Sequence, residues 1–436
     1  MVVILGLAVL LSSNRKAIRL RTVLAALGLQ VGLGVLVLFV PAGQRALGGA
    51  SKAVQAVIDS SRSGIEFLFG SLLAEDGFVF ALQVLPVIVF FASLSAVLYH
   101  WGVLQKVVEI LGGGMAKLLG TRKAESVNAA ANMFVGQTEA PLVIRPYISA
   151  LTRSGLFAVM VGGLSTVAGS VLVGYSLLGA KLEHLIAASF MAAPGALLMA
   201  KIVVPETEDD APDEVTGEVP GSRKKEAKAA QQAEADATAR AVVTEDVAEE
   251  EVPDEETGDL TADQGYRNVI DAAAGGAAEG LRLAATIGAM LLAFISLIAL
   301  INLILGGAGG LFGLEGLTFE KILGYVFAPI MLIVGVPWEE AIQAGSFVGQ
   351  KIVVNEFVAF TNFAPIIDTF SVKTQAVVTF ALTGFANLGS LGILLGGLGE
   401  LAPERRGQIA ELGIRAILAA TLANLMSAAI AGMLIG

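Results

Sequence analysis

Cysteine is absent from this chain of 436 residues, and histidine is nearly absent, with His100 and His184 as its two copies. The lack of cysteine excludes disulfides, thiolate metal sites and cysteine nucleophiles. Two histidines far apart in the sequence argue against a histidine-ligated metal centre. A function that depends on thiol or imidazole chemistry is therefore not expected.

Charge is the second scarce property. Charged residues make up 15% of the chain and hydrophobic residues make up 55%. Soluble domains carry about 25% charged residues. The composition is therefore typical of a protein embedded in a lipid bilayer.

The formal net charge of −11 comes from one acidic segment. Residues 205–264 contain 20 of the 39 acids and 5 of the 28 bases, so the rest of the chain is mildly basic. The segment has almost no large apolar residues and no aromatic ones, which predicts a disordered or partly helical, solvated linker. The alternative interpretation is a tail that binds a partner.

Apolar windows predict several membrane spans, since a spanning helix needs about 20 apolar residues. The windows lie near residues 22–41, 77–99, 155–179, 185–204, 284–306, 373–397 and 409–435, and residues 1–13 predict a shorter first helix. The basic cluster from Arg15 to Arg21 is placed in the cytoplasm by the positive-inside rule. Alternation from that cluster puts residues 42–72 outside as a loop and the acidic linker in the cytoplasm.

Two further stretches, 124–150 and 338–364, are too polar for simple spans. They are interrupted by glycine and proline and contain Glu139 and Glu356. A carboxylate costs about 2.5–3.5 kcal/mol near the bilayer centre, and broken backbone at that depth is tolerated only where protein or water surrounds it. Each stretch therefore predicts a re-entrant helical hairpin that faces a wet cavity.

The two hairpins belong to an internal repeat. The tetrapeptide FVGQ occurs at 134–137 and at 347–350, and a glutamate follows each copy. Each half then has an apolar helix interrupted by small polar residues, GGLSTVAGSVLVG at 162–174 and TGFANLGSLGILLGG at 383–397. If each unit is a hairpin, a broken helix and a further helix, the odd number of spans between the units inverts one relative to the other. Inverted repeats are typical of secondary transporters, which bind substrate and ions between the repeats.

Long motifs in the chain resemble those of the concentrative nucleoside transporter family, of the bacterial, sodium-coupled type. They include ESVNAAANMFVGQTEAPLVIRPYI, VVNEFVAF and GFANLGS, together with NVIDAAAGGAAEGL and LGGLGELAPERRGQIAELG. The similarity extends over the whole chain except the acidic linker. It implies an all-α polytopic protein with eight transmembrane helices and two re-entrant hairpins. It also implies a homotrimer in which a mobile transport domain moves past a scaffold like an elevator.

The resemblance divides the chain into five parts. They are N-terminal scaffold helices (1–123), a first transport repeat (124–204), the acidic linker (205–264), interfacial and scaffold helices (265–337) and a second transport repeat (338–436). In function it implies a symporter in the bacterial inner membrane that imports uridine and cytidine, with adenosine as a further candidate. The sodium gradient would drive import without an organic cofactor or a nucleic-acid partner.

The resemblance also implies roles for twelve residues of this sequence. Gln137, Thr138 and Glu139 would face the nucleobase, Val171 would pack on the base, Phe385 would lie against the nucleoside, and Glu356, Asn387 and Ser390 would bind the ribose hydroxyls. Asn132, the Val135 carbonyl, Thr166 and the Val167 carbonyl would bind sodium. The chemistry agrees, because a carboxylate accepts hydrogen bonds from vicinal hydroxyls, and neutral oxygen ligands suit a monovalent cation.

Several alternatives remain open from the sequence. Glu139 could pair with Arg145, and Glu356 with Lys351, as structural ion pairs. Asn387 and Ser390 could serve only as contacts between helices. Coupling to protons rather than sodium is the main functional alternative, and an intramembrane enzyme that uses two carboxylates or a channel are more distant ones.

Overall fold

The computed structural model describes residues 1–73, 79–207, 266–311 and 316–435. All regular secondary structure in these residues is helical, which confirms the predicted fold class. The prediction of a solvated linker falls mainly on residues 208–264, which lie outside the described residues.

The first half contains helices α1 (Val2–Leu10), α2 (Leu20–Leu38), α3 (Pro41–Ser60), α4 (Arg62–Phe69), α5 (Phe80–Gln83), α6 (Leu85–His100), α7 (Val103–Leu119), α8 (Lys123–Ala131), α9 (Arg153–Ser165), α10 (Gly169–Leu177) and α11 (Leu182–Val203).

The second half begins with the longest helix among the described residues. Its helices are α12 (Val269–Leu311), α13 (Phe319–Val334), α14 (Trp338–Val353), α15 (Glu356–Phe363), α16 (Val372–Leu382), α17 (Leu388–Leu401) and α18 (Arg406–Ile435). Short 3₁₀ segments join some of them, and the segments at Ala140–Tyr147 and Ala364–Thr369 follow the two predicted hairpin tips.

Six apolar stretches of the described chain are long enough to cross a membrane, and six of the seven predicted windows fall on them. They are Leu20–Leu38, Phe80–His100, Arg153–Leu177, Leu182–Val203, Val269–Gly310 and Pro403–Ile435. The seventh window, 373–397, falls on the two shorter apolar helices α16 and α17. Helices α13 and α14 form a further apolar pair bent by 115°. The windows missed it because α13 is short and has Glu320 and Lys321 in its first turn. The expected count of eight transmembrane helices stays a prediction.

The prediction of a loop over 42–72 is wrong. Helices α3 and α4 fill most of this stretch. Pro41 stands at the first position of α3, where the missing amide hydrogen of proline costs nothing, and the apolar residues Leu47, Val54 and Ile58 recur at helical spacing. Small and charged residues between them keep the average hydrophobicity too low for a span, which is why hydrophobicity windows do not identify this amphipathic helix.

Each of the two stretches predicted as hairpins forms a pair of short helices, and their re-entry into the membrane stays a prediction. The first consists of α8 and the 3₁₀ segment Ala140–Tyr147, and the second consists of α14 and α15. The shared tetrapeptide FVGQ is not structurally equivalent, however. It forms the tip of the first hairpin, whereas in the second it lies within α14, before the tip. The two repeats therefore share the order of their elements. The tetrapeptide in the second repeat lies about one helical turn earlier, relative to the hairpin tip, than in the first.

Both predicted interruptions are present as true helix breaks. The first break separates α9 from α10 at residues 166–168, and the second separates α16 from α17 at residues 383–387. Gly384 in the second break has a φ of +147°, a conformation that side chains with a Cβ rarely adopt. A Cβ there would also lie 2.4 Å from Oδ1 of Asn424. Glycine is therefore required by both backbone conformation and space.

Helix α12 packs along α6 through small residues. A Cβ on Gly276 would lie 2.6 Å from the Cβ of Ala96, and one on Gly280 would lie 2.7 Å from the Cβ of Ala92. Glycines four residues apart let two apolar helices approach closely, as is common inside membranes. The two helices together form one wall of the central cavity.

Candidate functional site

The hairpin tips and the helix breaks surround a cavity of about 680 Å³. This volume lies within the range of about 300–1,000 Å³ that small-molecule sites occupy. All eight residues expected to contact substrate line it, namely Gln137, Thr138, Glu139, Val171, Glu356, Phe385, Asn387 and Ser390. Residues that lie up to 253 positions apart in the sequence therefore meet in one place.

Glu356 is held in the cavity by two side-chain hydrogen bonds. It is the first residue of α15, directly after Asn355, whose Oδ1 accepts from the amide of Val358 at 2.9 Å and so caps the helix. Negative charge is stabilised at a helix N-terminus by the helix dipole. Oε1 of Glu356 accepts from the Tyr175 hydroxyl at 3.1 Å, and Oε2 accepts from Nδ2 of Asn387 at 2.7 Å. The carboxylate is thus fixed from two sides.

Tyr175 was not predicted from the sequence. It lies on α10, one turn after Val171, and its fully buried ring stacks on Phe360 with centroids 4.4 Å apart and meets the edge of Phe357 at 4.8 Å. These rings fix the direction of the hydroxyl toward Glu356. A signal was available in the sequence, since Tyr175 shares a helical face with Val171.

Asn387 joins the second helix break to the second hairpin. Its Oδ1 accepts from the amide of Ser390 at 2.7 Å and caps α17, while its Nδ2 donates to Glu356. The spacing of three residues that marks these two positions in the sequence is therefore that of an N-cap and its partner. Because Glu356 and Ser390 both depend on Asn387, the three residues form one connected group.

Glu139 and Gln137 lie at the tip of the first hairpin. Oε2 of Glu139 accepts from the amide of Gly136 at 3.1 Å. Within the described residues Glu139 forms no ion pair, so the alternative pairing with Arg145 is wrong. Oε1 of Gln137 is buried without a hydrogen-bond partner. An unpaired acceptor is costly unless a ligand or water completes it.

The alternative pairing of Glu356 with Lys351 is not formed either. Nζ of Lys351 donates instead to the carbonyl of Ala381 at 2.7 Å and to Oδ1 of Asn424 at 2.8 Å. The carboxylate of Glu356 keeps its two neutral donors, Tyr175 and Asn387, and lines the cavity.

The four residues expected to bind sodium lie beside the first helix break and are all buried. They are Asn132, Val135, Thr166 and Val167. Oδ1 of Asn132 has no hydrogen-bond partner, while its Nδ2 donates to the carbonyl of Asn128 at 2.9 Å. The Thr166 hydroxyl donates to the carbonyl of Gly162 at 2.9 Å, which leaves its oxygen lone pairs available. The donor set is neutral oxygen and fits a monovalent cation.

Asn128 is a second buried amide that sequence reasoning missed. It lies one helical turn before Asn132, and neither its Nδ2 nor its Oδ1 has a partner. Both amides approach Gly162, where an added Cβ would lie 3.4 Å from Nδ2 of Asn128 and 3.5 Å from Nδ2 of Asn132. Buried polar groups are nearly always paired. The unpartnered amide of Asn128 therefore indicates that a polar ligand or an ion can bind in this region.

The opposite wall of the cavity comes from α6 and α12. It adds two charged residues that the sequence analysis did not single out, Glu279 and Arg282 of α12, and Glu400 lines the cavity from the end of α17. Among the described residues no group of three or more acidic or histidine side chains is placed to hold a divalent metal.

Comparison with known families agrees with this geometry. Models described as Na⁺ dependent nucleoside transporter N-terminus and C-terminus match residues 1–72 and 184–432. A third model, described as nucleoside recognition, matches residues 81–181. The three together cover the two hairpins and both helix breaks.

Individual proteins match over the full length. The chain is 51% identical to the uncharacterized transporter YutK of Bacillus subtilis, across 100% of this chain and 98% of that protein. It is 42% identical to the nucleoside permease NupC of Helicobacter pylori, across 100% of this chain and 96% of that one. The solved structure of CNTnw in an inward-facing substrate-bound state superposes with a TM-score of 0.86 at 49% identity, covering 100% of this chain and 96% of that one.

These matches also decide between the classes of function considered above. The family models and the named relatives describe transporters, which rules out the alternative of an intramembrane enzyme. The chain is a multi-pass membrane protein that belongs to the Na⁺-dependent nucleoside transporter family.

Proposed function

We propose that this protein is a secondary active symporter that imports nucleosides into a bacterial cell, driven by the sodium gradient. Uridine and cytidine are the proposed substrates, and adenosine is a further candidate. The observation that carries the proposal is the placement of Glu356. Its carboxylate is fixed by Tyr175 and Asn387 and faces the same cavity as Gln137 and Glu139.

The ribose would bind at the second hairpin. Two vicinal hydroxyls can donate to the carboxylate of Glu356, and Asn387 and Ser390 lie beside it at the start of α17. Hydrogen bonds to a charged acceptor contribute about 1.5–3 kcal/mol each. A sugar without one of these hydroxyls would therefore bind considerably more weakly.

The nucleobase would bind at the first hairpin. Gln137 and Thr138 offer both donors and acceptors, as the edge of a base requires, and Oε1 of Gln137 lacks a partner in the protein. Val171 supplies an apolar surface for the flat face of the base, and Phe385 lies at the side of the cavity. Glu139 would reach the base through water, since its own oxygen accepts from Gly136.

Sodium would bind between the first hairpin and the first break, held by Asn132, Thr166 and the carbonyls of Val135 and Val167. The amide of Gly169 at the start of α10 donates to the carbonyl of Phe134 in the hairpin tip at 3.0 Å. A cation here would join the same two segments that surround the nucleoside. Sodium and nucleoside would therefore each raise the affinity of the other, because coupling free energy is reciprocal.

Alternating access would follow from movement of the two transport repeats, 124–204 and 338–436, past α6 and α12 within a homotrimer. The acidic linker would lie in the cytoplasm. Proton coupling is the remaining alternative for the driving ion. The unpartnered amide oxygen of Asn132 favours sodium, because an amide oxygen binds a cation but does not accept a proton at physiological pH.

The test is uptake of radiolabelled uridine into proteoliposomes that contain the purified protein. An inward sodium gradient should drive accumulation above equilibrium, and a proton gradient alone should not. Uptake driven by protons alone would leave the nucleoside site in place and remove the sodium site. Absence of uptake under both gradients would contradict the proposed substrate class.

A further inference from the structure

Lys351 is a buried lysine that the proposed nucleoside and sodium sites do not use. It lies on α14 near the tip of the second hairpin with 1% of its side chain exposed. Within the described residues it pairs with no carboxylate. A buried ammonium is strongly unfavourable unless its surroundings compensate for the lost water. The groups that compensate for it therefore indicate its role.

Both partners of Lys351 are oxygens at the second helix break. One is the carbonyl of Ala381 at 2.7 Å, in the last turn of α16, and the other is Oδ1 of Asn424 at 2.8 Å, on α18. The carbonyls at a helix C-terminus lack helical partners and carry about half a negative charge. The ammonium of Lys351 therefore compensates the partial negative charge at the C-terminal end of α16, which lies inside the protein.

Asn424 extends this contact to the first helix break. Its Nδ2 donates to the carbonyl of Ser165, the last residue of α9, at 2.7 Å and to the carbonyl of Thr383 at 2.9 Å. The amide of Phe385 donates to the carbonyl of Thr166 at 3.3 Å and joins the breaks a second time. One lysine and one asparagine thus connect the C-terminal ends of both half-helices.

The two helix breaks are equivalent in that each has a place for a positive charge at the C-terminal end of a half-helix. The C-terminal end of α9 is followed directly by Thr166 and Val167, the residues proposed to hold sodium. The C-terminal end of α16 faces the ammonium of Lys351. Each half-helix thus has one positive charge available at its end, a transported ion at the first break and a side chain at the second.

We propose that Lys351 is a built-in cation at the second helix break, where it acts as a positioning residue for the nucleoside and sodium sites. It holds the break through Ala381 and Asn424, which keeps Asn387 in place against Glu356. The same link fixes the carbonyl of Ser165, beside the sodium ligand Thr166. The inference rests on the proposed sodium-coupled transport for its readout.

The experiment compares Lys351→Met, which removes the charge and nearly keeps the volume, with Asn424→Ala, which keeps the charge and removes the link. The matched control is Lys373→Met, the same substitution on α16 at its far end from the break. The half-saturating sodium concentration and the KM for uridine are measured in proteoliposomes, with folding verified by gel filtration.

We expect both test variants to raise the half-saturating sodium concentration at least fivefold and to raise the uridine KM, while Lys373→Met matches the wild type. A purely structural lysine would lower the yield of folded protein without moving the sodium response. Folded Lys351→Met with wild-type values would overturn the inference. If that variant does not fold, Asn424→Ala decides, and an unchanged sodium response there overturns it equally.

Failure of the proposed function is visible separately, because it would appear in the wild type as uptake without sodium dependence. The inference would then be tested by the uridine KM alone, measured under a proton gradient. A KM for Lys351→Met equal to that of the wild type would reject it.

Discussion

The hydroxyl of Tyr175 donates to Oε1 of Glu356 at 3.1 Å across 181 positions of sequence. The contact joins the first broken helix to the tip of the second hairpin and orients the carboxylate that faces the cavity. Tyr175 is itself held by the rings of Phe357 and Phe360. The ribose end of the proposed site is therefore built by both repeats together.

Replacing Tyr175 with phenylalanine should weaken uridine binding by about tenfold and leave folding intact. The ring packing is retained, while one hydrogen bond to a charged acceptor, worth about 1.5–3 kcal/mol, is lost. The measurement is the uridine KM in proteoliposomes. Tyr325→Phe is the matched control, since Tyr325 is exposed on α13. An unchanged KM in Tyr175→Phe would show that Glu356 does not need this contact.

Glu356→Gln should abolish measurable uridine uptake, because a neutral amide is a weaker acceptor for two ribose hydroxyls and also disturbs the donor from Asn387. Glu139→Gln should reduce uptake less, since Glu139 is proposed to act through water. Glu339→Gln, on an exposed position of α14, serves as control. Normal uptake by Glu356→Gln would remove the proposed ribose site.

Asn132→Ala should raise the sodium concentration needed for half-maximal uptake by about tenfold or more and should change the uridine KM less at saturating sodium. The reason is the loss of a buried amide oxygen that has no protein partner. Asn128→Ala should shift the sodium response in the same direction, since its amide oxygen also lacks a partner in the protein. Uptake measured against sodium concentration checks both variants. Equal sodium responses in both variants and the wild type would place the cation elsewhere.

Stability should fall in acid through a cluster of charges at the end of α11. Nζ of Lys201 contacts Oε2 of Glu206 and Oε2 of Glu125, both at 2.8 Å, and Oε1 of Glu206 lies 3.6 Å from the Arg122 guanidinium. Burial by itself would raise the pKa of Glu206. The Lys201 ammonium and the hydrogen bonds from Lys201 and Thr152 nevertheless hold it below its ordinary value of 4.5.

Because the pKa of Glu206 is lower in the folded state, its contribution to stability is present above pH 4.5 and is lost as the pH falls through the folded value. Thermal unfolding followed from pH 7 to pH 3 should therefore show a decrease in melting temperature below pH 4.5. Glu206→Gln should be less stable at pH 7 and should lose part of that decrease. Identical pH profiles for the two proteins would contradict this contribution.

Deletion of residues 208–258 should leave sodium-driven uridine uptake within about twofold of the wild type, if the acidic segment is a spacer between the repeats. Glu206, which is bound by Lys201, is retained in this variant. Uptake in proteoliposomes is the measurement. Loss of uptake in a deletion variant that remains folded would favour the alternative of a functional tail.

The sequence determined those features that depend on local composition. Long apolar runs identify spans wherever they occur, and polar residues with glycine interrupt them, so α2, α11 and both helix breaks were predicted. Hydrophobicity averaged over a window did not identify α3, because small and charged residues lie between its apolar residues. It also did not identify α13, which is shorter than a usual span. The motifs identified the family and the residues of the proposed site.

The tertiary structure alone decided which of these residues meet. The contacts of Tyr175 with Glu356, of Lys351 with Asn424, and of Asn424 with Ser165 join positions 73 to 259 residues apart. No periodicity or spacing encodes such pairs, since buried polar groups find partners according to how whole helices pack. The same packing gave Lys351 carbonyl and amide oxygens rather than the carboxylate that its sequence neighbourhood offers.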